Sequence, residues 1–267
     1  LLKNKGVILV IKLDGSKKKA YALYGLLLGG GYVNPKKGSK IHYSTTNEQR
    51  GFIRMLAQFC SKNNIMFATE FDYPVKTEYG EYIYSSISIQ VPRAILAQHF
   101  IKYNRFFNSD GKKTITEYTL RRISPLGLLF WFLSNGCLSV YNKKNDTTII
   151  RQATLATQKF SFEENLKIQK MFLERFAIET KVHRDRKYFK QYFSAISFRK
   201  FYDVVRPYLG FIPKELQYKF NMKYIANQDV PESIYLCNNY NLGEQQHQYI
   251  QVNGSAIQPS KEVEDII

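Results

Sequence analysis

The sequence predicts an α+β protein assembled from two copies of one αββαββα unit. Three observations carry that expectation. Two apolar helical segments, each closing on small residues, stand at matching points of the two halves. Each is followed by segments that alternate with the period of a half-buried strand. Between those strands lie amphipathic helices, and no βαβ crossover pattern is present, which points to antiparallel sheets.

The first apolar segment, Tyr21–Tyr32, reads YALYGLLLGGGY and ends on a glycine run. The second, Ser124–Ser139, reads SPLGLLFWFLSNGCLS. There Ser124 suits an N-cap and Pro125 the first helical position, whose N–H has no partner in any helix. Gly31 and Gly136 supply the stop signals. In the first half, His42–Thr46 and Tyr82–Val91 (YIYSSISIQV) alternate as strands, with a helix over Asn47–Lys62 and another over Pro92–Tyr103. In the second half the strands are Thr147–Gln158 and Tyr188–Ser197, with helices over Phe162–Phe176 and Phe198–Leu209. Ser161 followed by Glu163 and Glu164 reads as an N-cap with acids in the first turn, where the helix dipole favours them. The chain accordingly divides into an N-terminal extension (1–17), a first repeat (18–116), a second repeat (117–225) and a polar C-terminal extension (226–267).

Composition narrows the function. The 267 residues carry 39 Lys and Arg against 22 Asp and Glu, a formal charge of +17, and 44% are hydrophobic. The apolar share supports a proper core. Self-repulsion on that scale is relieved by a polyanion, so nucleic acid is the leading partner. Membrane surfaces fit less well, because no long basic amphipathic helix and no apolar run of about 20 residues is visible. Cys60, Cys137 and Cys237 are odd in number and far apart, and His42, His99, His183 and His247 form no ligand-spaced cluster. Both facts argue against a disulfide framework and a zinc site. The excess of Tyr, Phe, Lys and Asn suggests AT-rich coding. It favours an organelle, with mitochondria first, and leaves a phage or a bacterial cytoplasm open.

Basic residues gather at equivalent places in the two halves. Lys36, Lys37, Lys40 and His42 form one run. Lys181, His183, Arg184, Arg186, Lys187, Lys190 and Gln191 form another, and Arg151 lies on an intervening strand. A single charge run is usually a solvated face, but two in matching positions predict a binding face.

The motif helices resemble those of single-chain, two-repeat LAGLIDADG homing endonucleases. The signature stands as Gly25–Tyr32 (GLLLGGGY) and Leu129–Gly136 (LFWFLSNG), and its acid positions, here Gly30 and Asn135, lie 105 residues apart. Three more stretches are similar to the family: Gly111–Ile115 before the second motif helix, Thr157–Glu164 at a strand-to-helix junction, and Arg206–Leu209 with Tyr218–Phe220 near the close. The resemblance covers about residues 18–223, and the tail with Gln245–Gln248 has no counterpart.

The resemblance implies that the two motif helices pair closely through Gly25, Gly29, Gly127 and Leu128, and that two antiparallel sheets form a saddle over nucleic acid. It also implies a carboxylate at the end of each helix, because hard Mg²⁺ takes oxygen ligands. Gly30 and Asn135 depart from that pattern, and neither Asp14, Asp72 nor Glu81 lies at a motif-helix end. No intact catalytic residue and no cofactor is therefore expected, and Mg²⁺ only if the chain acts as an endonuclease. Lys113 and Lys219 stand where the family places basic residues, and phosphate contact is the role assigned to them. A non-cutting binder is the expectation, leaning to RNA in an organellar ribonucleoprotein (a mitochondrial ribosome component or a maturase-like intron binder). A site-specific DNA endonuclease, or a DNA-binding regulator without cleavage, is the alternative. The pseudo-dimer implies a monomer.

Overall fold

The computed structural model describes residues 17–33, 40–90, 106–108, 112–142, 148–220, 251–252 and 255–256. In the first half α1 (Lys17–Leu28) leads into β1 (Tyr32–Val33) and β2 (Lys40–Thr46). Then come α2 (Arg50–Lys62), β3 (Phe67–Thr77) and β4 (Gly80–Gln90). After a short α3 (Glu117–Leu120), α4 (Pro125–Asn135) leads into β5 (Gly136–Asn142) and β6 (Thr148–Leu155). They are followed by α5 (Phe162–Phe176), β7 (Thr180–Asp185), β8 (Tyr188–Ser194) and α6 (Ala195–Val205). The strand orders β1-β2-β4-β3 and β5-β6-β8-β7 are the same permutation, and every pair is antiparallel. The fold is thus the duplicated α+β arrangement. The helix expected over Pro92–Tyr103 lies outside the described residues.

Local chemistry explains the element ends. Ser124 Oγ accepts from Gly127 N (3.1 Å), and Pro125 opens α4. Ser161 and Glu164 form a reciprocal capping box at the start of α5. The last expected strand is shorter and the next helix earlier than the sequence pattern suggests. Ser194 Oγ accepts from Ser197 N (3.1 Å), so the chain turns helical at Ala195. The two stop glycines act differently from expectation. Among the described residues only Gly80 is a glycine with positive φ. Gly136 takes an extended φ of −85°, and a Cβ there would lie 2.4 Å from the Phe132 ring. Close packing, rather than a left-handed cap, explains glycine at that position.

The core joins the halves. α1 and α4 cross where Gly25 faces Gly127, and a Cβ on Gly25 would fall 1.6 Å from the Gly127 carbonyl oxygen. From α4, Phe130 packs edge-on against Phe52 and Phe59 of the first-half α2 (ring centroids 6.0 and 5.3 Å). Two residues on, Phe132 turns to Phe198, Phe201 and Phe220 in the second half. Leu128, on the same helix, is fully buried. One helix therefore fills both cores.

Candidate nucleic-acid interface and the paired helix ends

Each sheet turns one face to its helices and the other to solvent. In the first sheet Ile41, Tyr43, Ile87 and Ile89 point to the core. Pleating then places Lys40, His42, Ser44, Ser86, Ser88 and Gln90 on the opposite face. His42 stands across from Ser88, whose hydroxyl lies 2.9 Å from its Nδ1. Partial burial, and after it the charge of Lys40, lowers the His42 pKa, so the ring is a neutral hydrogen-bonding group near pH 7. Lys36 and Lys37 lie outside the described residues.

In the second sheet Lys181, His183 and Lys190 share the outer face, where His183 stacks on Tyr192 at 4.3 Å. Lys190 also pairs with Asp185 (3.3 Å). The basic run read as one cluster is divided by the pleat. Arg184 aligns with Phe189, whose ring packs on Phe162 of α5, so it stands on the helix side. Its Nε donates to the Arg186 carbonyl. Arg186 and Lys187 form the hairpin turn, with Arg186 at φ 56°. Gln191 does not belong to the outer face. It is fully buried, donates to Asn165 O (2.8 Å) and accepts from Thr180 Oγ1 (2.9 Å). Arg151 is placed in β6 by its backbone, its side chain being outside the described set.

The two motif helices end side by side. A Cβ on Gly29 would meet Ser134 Oγ at 2.2 Å and Asn135 Oδ1 at 2.7 Å. Lys113 Nζ donates to Gly29 O (2.5 Å). Lys219 Nζ donates to Leu133 O (2.6 Å) and is itself 4% exposed. Each amine thus covers the last turn of one helix, where unpaired carbonyls concentrate partial negative charge. Burial, then the charge of Lys159, pulls the Lys113 amine down to about 7. Burial pulls Lys219 down to about 8, with Cys137 opposing weakly. Lys219 is therefore no free surface cation. Its amine already serves the helix end, and a phosphate would have to approach it there.

Two segments singled out separately in the sequence meet here. Glu164 Oε1 accepts from Thr114 Oγ1 and Ile115 N, both at 2.7 Å, and so holds the turn carrying Lys113. Its other oxygen closes the capping box at Ser161. This positioning role of Glu164 was not visible in the sequence beyond its capping pattern.

The donor set at the helix ends can be tested against a divalent cation. Gly30 has no side chain, and a Cβ there would sit 2.6 Å from the Tyr43 ring. Asn135 Oδ1 accepts from Ser134 Oγ (2.7 Å), and its main-chain carbonyl accepts from Ala156 N (2.9 Å). The neighbouring carbonyls are held by the two lysines. This arrangement does not fit Mg²⁺, which requires several free, preferably anionic oxygens. Among the described residues no group of three or more His, Cys, Asp or Glu is placed to hold a metal ion. Asp72 occupies a bulge of β3 facing Arg50 (3.7 Å), and Glu81 the solvent-exposed hairpin. Asp14 is outside the described residues.

The topology recurs in a solved structure. The homing endonuclease I-WcaI, bound to its DNA recognition sequence, matches at a TM-score of 0.61 and 21% identity over 76% of this chain and 86% of that one. Full-length DUF199/WhiA from Thermatoga maritima matches at 0.43 and 15% identity over 85% and 68% of the two chains. The profile of the LAGLIDADG DNA endonuclease family aligns with residues 20–201, which include most of α1, all of α4, both four-stranded sheets and the start of α6. The chain belongs to that family.

Proposed function

We propose that this nucleic-acid-binding member of the family holds its target without cutting it. One observation carries the proposal. Both motif helices end without a carboxylate, and lysine amines occupy the carbonyls beside the vacated positions. Hydrolysis by two-metal chemistry needs anionic anchors for the cations, and replacing them with glycine and a hydrogen-bonded amide removes the main source of charge stabilisation. Binding requires only positive charge and a shaped face, and the outer face of the second sheet carries Lys181 and Lys190.

RNA is favoured over duplex DNA as the target, with an organellar ribonucleoprotein as the setting. Support comes from the charge of +17, the tyrosine-rich strand faces and the polar tail. The deciding experiment exposes the purified protein to a plasmid library with Mg²⁺ and with Mn²⁺, and sequences nucleic acid crosslinked to it in cells. The expected result is no double-strand break and recovery of one structured RNA. Sequence-specific cutting by the unaltered chain would overturn the proposal. The structural match to an endonuclease seated on DNA favours a second reading, in which the saddle reads duplex DNA. Recovery of one DNA site in place of an RNA would establish it.

A further inference from the structure

The two outer faces differ in chemistry. In the second half, Lys181 and Lys190 share the face with the His183–Tyr192 stack, and Arg186 and Lys187 crown the hairpin. In the first half, the long β3–β4 hairpin carries Glu70, Asp72, Glu78 and Glu81 against Lys76 alone, and Lys76 pairs in register with Glu81. Its outer face is aromatic. Strand alternation puts Tyr82 and Tyr84 on the side of Ser86 and Ser88. Beyond the bulge, Tyr73 stands opposite Tyr84, with ring centroids 6.4 Å apart. Tyr82 is 42% exposed, and Tyr32 continues the aromatic lining beside His42 at 48%.

A phosphate backbone gains little from the described residues of this surface. Among the described residues the outer face of the first sheet offers one lysine, Lys40, and it also bears Glu70. A base gains a good deal, because every base has a π-face that stacks on tyrosine whatever its sequence. Duplex DNA hides those faces inside its stack and presents phosphates outward. The β3–β4 surface is therefore poorly matched to a duplex and well matched to unpaired nucleotides.

We infer that the saddle is divided: the β7–β8 face grips phosphates of a paired stem, and Tyr73, Tyr82 and Tyr84 receive unpaired bases that leave it. The ligand class is a stem with a single-stranded extension. The inference rests on the nucleic-acid reading above but does not require that cleavage be lost.

Fluorescence anisotropy with the full chain tests the division. Three probes serve: a blunt duplex of roughly 20 base pairs, a uridine 20-mer of about the same length, and the duplex extended by roughly 10 unpaired uridines, a span within the site sizes of single-strand binders. A 2-aminopurine in the tail reports stacking directly. The wild type should bind the tailed duplex most tightly and quench the 2-aminopurine. Joint Tyr73→Ala, Tyr82→Ala and Tyr84→Ala substitution should remove that advantage, at about tenfold per stacked base, and leave the blunt duplex unchanged. Tyr82→Ser alone, at a surface position that does not endanger folding, should show part of the effect, and Tyr82→Phe none. Lys181→Ala with Lys190→Ala should weaken the two stem-bearing probes together and lower the salt slope by about 2.

The inference falls if the tyrosine variants leave the tailed probe unchanged. It falls equally if they weaken blunt and tailed probes alike. Failure of the wild type to bind any of the three probes would instead overturn the underlying nucleic-acid reading, and this inference with it.

Discussion

Replacing Gly25 with alanine tests the paired-helix core at its narrowest point. The added Cβ would sit 1.6 Å from Gly127 O and 2.4 Å from Gly127 C. Both are backbone atoms, so no rotamer change relieves the clash. Restoring ordinary contact requires α1 and α4 to part by roughly 2 Å. Even a gap of about 1 Å forfeits up to half of each dispersion contact along the seam. Overpacking usually destabilises by about 1–3 kcal/mol, and a backbone-against-backbone clash in a buried helix pair belongs above that range, near 4 kcal/mol. For a chain of this size that lowers the melting temperature by about 8–16 °C. Two controls grade the effect. At Gly29 the Cβ meets the ends of Ser134 and Asn135, which can rotate away at the loss of their mutual hydrogen bond, so Gly29→Ala should cost about 1–2 kcal/mol. At Gly210 nothing lies within 4 Å, so alanine there should change stability by no more than about 0.5 kcal/mol. Urea unfolding and thermal melts of the three variants measure the series. A Gly25→Ala protein that melts within a few degrees of the parent, or no lower than Gly29→Ala, would show that the helices do not cross at Gly127.

Three further outcomes follow from the same structure. Gly30→Asp together with Asn135→Asp should create a Mn²⁺ site detectable by calorimetry, and the double variant should melt below Asn135→Asp alone, because the new side chain displaces the Tyr43 ring. Gln191→Leu should destabilise by about 2–4 kcal/mol in urea, since it strands Thr180 Oγ1 and breaks the bonds to Asn165 inside a buried network. Lys113 and Lys219 titrate near 7 and 8 in the folded chain against an ordinary 10.5, so the unfolded chain holds more protons across that interval. Stability should therefore climb as pH rises from about 7 toward 10, and Lys113→Met with Lys219→Met should flatten the climb in unfolding curves taken at both ends.

What the sequence disclosed was local. Ser124 with Pro125, and Ser161 with Glu164, act within four residues, and their caps form as the pattern indicates. Strand alternation likewise identified the buried faces of β2 and β4. What stayed hidden depends on tertiary pairing. Gln191 sits in a basic run, yet the register of β8 with β7 and β6 turns it inward to a polar network that no periodicity reveals. Arg184 follows His183 in a basic run, yet a strand sends neighbours to opposite faces. Phe130 and Phe132 look alike in the apolar helix, but one enters each half, a division set by the crossing of α1 and α4. The tyrosine face depends on the β3 bulge, a tertiary irregularity that places Tyr73 opposite Tyr84.

The absence of carboxylates at the two helix ends and the presence of the two lysines are electrostatically connected. Two helix C-termini converge at Gly29–Gly30 and Ser134–Asn135, and each carries about half a negative charge in its unpaired carbonyls. Carboxylates added there would repel both dipoles and each other, so an acid-bearing site of this shape needs cations to remain assembled. With Gly30 and Asn135 in place, Lys113 and Lys219 suffice, one amine to each helix end. Burial leaves both amines incompletely solvated, which lowers their pKa values despite the carbonyls they hold. A phosphate that reached the two amines would favour their charged form against the repulsion of the helix ends, so binding there should take up protons near pH 8. If the target's backbone is held at the helix ends, affinity should weaken between about pH 7 and 9, and affinity that does not weaken would place the backbone away from them.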